Sequence, residues 1–222
     1  MAGDEGDLSR RYYLDLAAAF VRGTLPDAPD LPLSDLVRFG LDAGLKLHKF
    51  KRTPELPRVR KVLGVLRGLA PADLLDVGSG RGVFLWPLLD TFPWLAVHSI
   101  DILPHRITDL QAVAAGGISR LTASLMDATR LTLPEASVDG VTFLEVLEHI
   151  PQPDQALAEA VRVARRFVVV SVPSKEDDNP EHIHLFNKEK LEALFAGAGV
   201  RRVNVEFVLN HIIAVATVGP RC

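Results

Sequence analysis

The chain has 222 residues, 48% apolar and 24% charged, with a net charge of −3 and a pI near 6.2. That composition is ordinary for a globular protein, and the length suffices for one domain with a full hydrophobic core plus an appendage. The acidic balance argues against a nonspecific nucleic-acid binder. The single cysteine, Cys222, excludes a disulfide framework or a cysteine metal cluster within one chain. No apolar run is long enough to span a bilayer, and MAGDEGDLSRR has no apolar secretory core. These readings predict a soluble, cytoplasmic protein with no membrane partner, and they set no oligomeric state.

Residues 1–70 read as a helical extension or cap. Leu8 to Val21 carries Tyr12, Tyr13, Leu16, Ala19 and Phe20 at helical spacing. The proline-rich TLPDAPDLPLSD interrupts it, and Ser34 or Asp35 is placed to cap a second helix, Leu36 to Leu47. A basic stretch follows: Lys46, His48, Lys49, Lys51, Arg52, Arg58, Arg60 and Lys61. It reads as a solvated helix end and connector, broken by Pro54 and Pro57, or alternatively as a holder of phosphates. A third helix spans roughly Leu56 to Leu69.

Residues 71–222 have a different texture. Strand-like runs at Leu74–Val77, Ala96–Ile100, Ser119–Ala123, Val138–Leu144, Phe167–Val172, Val203–Leu209 and Ile212–Val218 alternate with helical segments. The helices fit Val83–Thr91, His105–Ala115, Asp154–Val163 and Lys188–Ala198. This alternation predicts an α/β fold with a mostly parallel sheet covered on both faces. Only Asn210-His211 separates the last two strands, so they must form an antiparallel hairpin, because a parallel crossover needs a dozen or more residues.

The first strand, LLDV, runs into GSGRG and then a helix. Glycines permit a sharp turn and close approach of a ligand, and the helix start offers free N–H groups. Asp101 closes the second strand, where a carboxylate can accept from paired ribose hydroxyls. Asp127 follows the third strand and can accept from an adenine amino group. Each acid alone could be a loop carboxylate or helix cap. Together they outline a crevice at the switch point of the sheet.

The stretches LLDVGSGRG, HSIDI and MDATRLTLPEASVDGVTFLEVLEHI resemble the class I S-adenosylmethionine-dependent methyltransferases, over roughly Ala72 to Val218. The resemblance implies a seven-stranded sheet of order 3-2-1-4-5-7-6 and S-adenosylmethionine as cofactor. It implies that Asp76, Gly78 and Gly80 shape the methionine pocket, Asp101 binds ribose, Ile102 packs on adenine and Asp127 binds its amine. Ser79, Gly82, Ala128 and Leu144 complete the implied cofactor set. The family's proline-glycine-glycine turn before strand five is absent; VARRFVVVSVP runs straight in.

A helical turn starting at Glu145 would put Glu145, Glu148 and His149 on one face. The segment SVPSKEDDNPEHIHLF adds His182 and His184, while Asp177 and Asp178 read as solvated loop charges. This E-x-x-E-H run followed by a histidine is similar to small-RNA 2′-O-methyltransferases and to O-methyltransferases of quinone biosynthesis. That similarity implies a divalent metal held by Glu145, Glu148, His149 and His184, with His182 as the alternate. Such a metal would lower the pKa of a hydroxyl acceptor. Many metal-free relatives also read L-E-H here; in that case His149 or His184 would be the base, with Glu145 beside them. The favoured acceptor is a small molecule methylated on oxygen. An RNA 2′-hydroxyl is one alternative, and a non-catalytic cofactor-binding relative is another.

Overall fold

The computed structural model describes residues 8–53, 55–176 and 178–219. The expectations for residues 1–7, Pro54, Asp177 and Cys222 fall outside these. After one helical turn at 8–11 come helices α1 (Leu14–Thr24), α2 (Leu33–Asp42) and α3 (Pro57–Leu69), with a 3-10 turn at Leu47–Phe50 before α3. The order is then β1 (Asp73–Val77), α4 (Leu85–Thr91), β2 (Ala96–Asp101), α5 (Pro104–Ala115), β3 (Leu121–Leu125) and β4 (Val138–Leu144). A 3-10 turn at Leu147–His149 leads to α6 (Pro153–Val163), β5 (Ala164–Pro173), α7 (Lys188–Gly197), β6 (Arg202–Val208) and β7 (His211–Thr217).

The sheet order is β3-β2-β1-β4-β5-β7-β6, as the resemblance implied. Strands β1 to β5 pair in parallel, and β7 runs antiparallel to both β5 and β6. Alternate residues of the central strands feed opposite faces, as the pleat requires. In β5, Phe167 and Val169 join one apolar cluster, and Val168, Val170 and Val172 join the other. Helices α1 to α5 cover the first face; α6 and α7 cover the second.

The extension does not sit apart from the sheet. Leu16, Val21, Leu36, Phe50 and Leu66 belong to one continuous cluster with Leu74, Trp86, Val97 and Ile213. Phe50 is fully buried between Phe20 and Trp86, with ring centroids at 5.3 and 4.9 Å. Helix α1 crosses α5 at very short range. A Cβ at Gly116 would lie 1.7 Å from the carbonyl oxygen of Ala19, and one at Gly23 1.9 Å from that of Ala112. Two glycines therefore permit backbone-to-backbone contact.

The structure corrects several expectations. The first helix breaks at Tyr12–Tyr13. Tyr12 forms an isolated antiparallel bridge with Lys51, and the Tyr13 N–H donates to the Phe50 carbonyl. Neither Ser34 nor Asp35 caps α2: its N-cap is Pro32, Ser34 is buried within the helix, and Asp35 pairs with Arg38. Helix α2 also stops at Asp42 rather than Leu47, because Gly44 takes a φ of +82°. Strand β3 sits two residues later than the apolar pattern suggests, and the hairpin turn falls on Leu209-Asn210.

The basic stretch is solvated only in part: Lys46, His48, Lys51 and Arg60 are exposed, whereas Lys49, Arg52 and Lys61 are paired across to the sheet domain. Lys49 pairs with Asp109 of α5 while lying over the Phe20 ring. Arg52 makes a bidentate pair with Asp90 at 2.8 and 2.9 Å, and its Nε donates to the carbonyls of Ser9 and Tyr12. Lys61 pairs with Glu206 of β6. These charges fasten the extension to the sheet domain. Among the described residues, no helix is long and apolar enough to cross a membrane.

Candidate active site

All the strand ends that carry the implied site residues lie on one edge of the sheet. Two adjoining cavities run along that edge and share Val77 and Gly78. The larger, about 320 Å³, is lined by Ile100, Asp101, Ile102, Met126, Asp127, Ala128, Thr129, Val146 and His149. The smaller, about 170 Å³, is lined by Arg58, Val59, Asp76, Ser79, Gly80, Arg81, Leu144 and Glu145.

Gly78 is the pivot between them. Its φ is +67°, its N–H donates to the Ile100 carbonyl at 2.7 Å, and a Cβ there would lie 2.8 Å from the Val146 side chain. A side chain would be strained by the backbone and would collide with Val146. Gly82 lies off this line, in a neighbouring cavity against Trp86. In the large cavity, Asp101 is almost fully buried, and one of its oxygens accepts from the Leu103 N–H. Asp127 is exposed and is oriented by the N–H and hydroxyl of Thr129, both 2.8 Å from Oδ1. Ile102 is 66% exposed beside them, an apolar surface available to a flat ring.

The small cavity has a different electrostatic character. Burial pushes the Asp76 carboxyl up to about 7; a hydrogen bond from Thr142 (2.8 Å) opposes the shift and the charge of Asp101 adds to it. The other Asp76 oxygen and the Ser79 hydroxyl are buried and, among the described residues, lack hydrogen-bond partners. Buried polar atoms left this way are costly, and they fit a pocket whose ligand supplies the missing partners.

The Glu/His run folds differently from the expected helical turn. Glu145 takes a φ of +60°, so the chain leaves β4 in the left-handed region and only Leu147–His149 coil into a 3-10 turn. Glu145 is thereby turned away from Glu148 and His149. Its Oε1 accepts from Ser171 at 2.9 Å and its Oε2 lies 2.9 Å from His211 Nε2. Glu148 is fully buried, and its carbonyl accepts from the N–H groups of Ile183 and His184, drawing the loop after β5 onto the turn. That contact brings His182 to His149, with ring centroids 4.8 Å apart. Ligand atoms of Glu148, His149 and His182 all lie within 4.8 Å of one another. The fourth expected ligand, His184, instead bonds the Ile150 carbonyl through Nε2. The structure thus unites three of the five candidate ligands, with His182 rather than His184 as the later histidine.

Two polar residues beside the small cavity carry no obvious sequence signal for this site. His211 opens the last strand, and Arg58 lies in the basic stretch. Arg58 Nε is 3.6 Å from Glu145 Oε1. The only hint was topological: a hairpin strand that runs antiparallel must start at the edge where the parallel strands end.

This sheet order is that of the Rossmann-like methyltransferase fold. Residues 75–169 match the family described as "Methyltransferase domain". The chain is 26% identical over 171 residues to malonyl-[acyl-carrier protein] O-methyltransferase of Geobacter sulfurreducens, covering 66% of this chain and 63% of that protein. It is 31% identical over 114 residues to a ubiquinone biosynthesis O-methyltransferase of Cupriavidus pinatubonensis, covering 48% and 44%. It is 27% identical over 181 residues to an O-methyltransferase of Pyrenophora dematioidea, covering 72% and 67%. The match thus spans between under half and about two thirds of these relatives' lengths. In three dimensions it resembles a SAM-dependent methyltransferase from Aquifex aeolicus, with TM-score 0.63 and 23% identity over 74% of this chain and 92% of that one. It also resembles the magnesium protoporphyrin IX methyltransferase of Synechocystis PCC 6803, solved with bound SAM, with TM-score 0.57 and 19% identity over 73% and 78%. At these identities the likeness is one of fold.

Proposed function

We propose that the protein transfers a methyl group from S-adenosylmethionine to an oxygen of a small molecule. The observation that carries this reading is the two-part cavity. Its larger part offers Asp101, Asp127 and the exposed Ile102, as a nucleoside requires. Its smaller part offers the orphaned oxygens of Asp76 and Ser79 beside a glycine loop. When bound, the cofactor supplies a methyl group activated on a sulfonium sulfur. In this reading Asp101 holds the ribose, Asp127 the adenine amine, and Asp76 with the Gly78–Gly80 loop the methionine end. The names of the O-methyltransferase relatives favour oxygen as the nucleophile. A small acceptor is favoured over RNA because Lys49, Arg52 and Lys61 are already paired with Asp109, Asp90 and Glu206.

The test is calorimetry with S-adenosylhomocysteine, followed by transfer of a tritiated methyl group to a panel of phenols, catechols, carboxylic acids and a model RNA. The reading expects micromolar binding and labelling of a hydroxyl compound. Absence of cofactor-product binding would sink it and leave the non-catalytic alternative.

A second reading adds a divalent metal, carried by the Glu148, His149 and His182 cluster. One carboxylate and two imidazoles suit Zn²⁺, Mn²⁺ or Fe²⁺, and His149 Nδ1 is already oriented by the Glu181 carbonyl at 2.9 Å. A metal there would lower the pKa of a nearby hydroxyl. The reading expects a bound metal by elemental analysis, lost in Glu148→Gln and His182→Ala. A metal-free protein with full methyl transfer would leave proton removal to side chains alone.

A further inference from the structure

We propose that Arg58 and Glu145 together read the amino-acid end of the cofactor, the guanidinium taking its α-carboxylate and the carboxylate its α-ammonium. This rests on the methyltransferase reading above and gives helix α3 of the extension a place in the cofactor site.

Both side chains line the small cavity together with Gly78, Ser79 and Gly80. Arg58 sits at the start of α3, with its side chain about four-fifths buried. Its approach to Glu145, 3.6 Å, is too long for a hydrogen bond, and among the described residues no group accepts from its guanidinium. A part-buried fork of donors without an acceptor is matched by a carboxylate, which can take two of its N–H groups in parallel.

Glu145 is held in place rather than free to follow Arg58. Its left-handed backbone is anchored by its own N–H, which donates to the Ser171 carbonyl at 2.9 Å. Its two oxygens are pinned by Ser171 and His211, each at 2.9 Å. An ionised carboxylate has about four lone-pair sites, so each pinned oxygen retains one acceptor site. A non-glycine residue kept at positive φ is the kind of strain that persists where the surroundings over-determine it. Lys61, three residues further along α3, is already paired with Glu206. Arg58 and Glu145 are therefore an opposed pair, close but not closed, as a zwitterion with both charges on one carbon requires. His211 acts through Glu145 as a positioning residue.

Calorimetry on the full chain tests this with three probes: S-adenosylhomocysteine, its decarboxylated analogue, and 5′-methylthioadenosine, which lacks the amino-acid end. Arg58→Gln is expected to weaken S-adenosylhomocysteine about 10- to 100-fold, the scale of a charge-assisted bidentate contact. Binding of 5′-methylthioadenosine, which also reports that the variant is folded, is expected to stay within about twofold of wild type. Removing the ligand carboxylate should cost the wild type the same factor and Arg58→Gln nothing further. Glu145→Gln should weaken both amine-bearing probes and spare 5′-methylthioadenosine, with His211→Asn doing the same to a smaller degree. Arg58→Lys should recover part of the loss. Equal weakening of all three probes by Arg58→Gln would mark a structural residue and overturn the proposal. An unchanged affinity would also overturn it and would point to an acidic group on the methyl acceptor as the partner of Arg58. A wild type that binds 5′-methylthioadenosine as tightly as S-adenosylhomocysteine defeats this proposal alone, whereas one that binds neither defeats the methyltransferase reading.

Discussion

Asp76 is fully enclosed, and its carboxyl is raised to about 7 by that enclosure. In the unfolded chain it would titrate near 3.8. Between those values the folded state holds more protons than the unfolded, so stability contributed by the protonated carboxyl is present at low pH and declines as pH rises through about 7. Asp76→Asn is therefore expected to stabilise the ligand-free protein above pH 7, by at most about 4 kcal/mol, and to change little near pH 4. Denaturant melts at the two pH values check this. A cationic cofactor end favours the ionised form, so the affinity for S-adenosylhomocysteine should rise between pH 6 and pH 8 in the wild type and stay flat in Asp76→Asn. At this scale much of the site was legible. Asp76, Gly78, Asp101 and Asp127 each stand at a strand end, where sequence spacing alone locates them. Arg58 and His211 were not legible as neighbours of Glu145. The chain's left-handed step at Glu145, which aims that side chain at them, is set by the packing around β4, β5 and β7 and not by local propensity.

Among the elements, the junction of α1 with α5 is the most exacting. Gly116 has ordinary backbone angles, so its value lies only in the space it leaves for Ala19. Gly116→Ala should force the two helices apart and cost about 1–3 kcal/mol or more, as overpacking does; a lowered denaturation midpoint with an unchanged slope would show it. Phe50→Ala should cost about 3–5 kcal/mol, because it empties the space between Phe20 and Trp86 and loosens the 3-10 turn between α1 and α4. Element types and the terminal hairpin followed from the alternation of short apolar runs with helical periods, the strand order came from the family resemblance, and most boundaries moved by only one or two residues. The failures have physical causes. Leu8 to Val21 has unbroken helical spacing, yet Tyr12 and Tyr13 gain a bridge and a hydrogen bond to the Lys51–Phe50 segment that a continuous helix would forgo. Such long-range pairing leaves no mark on a local pattern.

For the molecule as a whole, the sequence divides at Ala70–Pro71 in texture, but the apolar cluster does not divide there. Leu16, Phe50 and Leu66 pack in the same cluster as Leu74, Val97 and Ile213. Removal of residues 8–53 is expected to yield a chain that loses fixed aromatic packing and binds hydrophobic dyes, instead of a smaller stable domain. Near-ultraviolet circular dichroism of the truncated chain checks this, and a sharp native-like melt would count against it. The paired charges of the extension lead to a second expectation. Arg52→Ala breaks the bidentate contact with Asp90 and two carbonyl contacts at once, so it should lower thermal stability even though it removes only one half-exposed cation.

Among the described residues, strand β7 comes after the other six, yet it occupies an interior position between β5 and β6. During synthesis on the ribosome, β1 to β5 can assemble as each emerges, but the flank of β5 has no permanent neighbour until β7 arrives. The nascent sheet therefore carries an unprotected edge of valines until β7 has emerged, and β6 has no seat of its own before then. In that interval the open edge of β5 is available to other strands, so whatever in the cell shields strand edges from one another protects it.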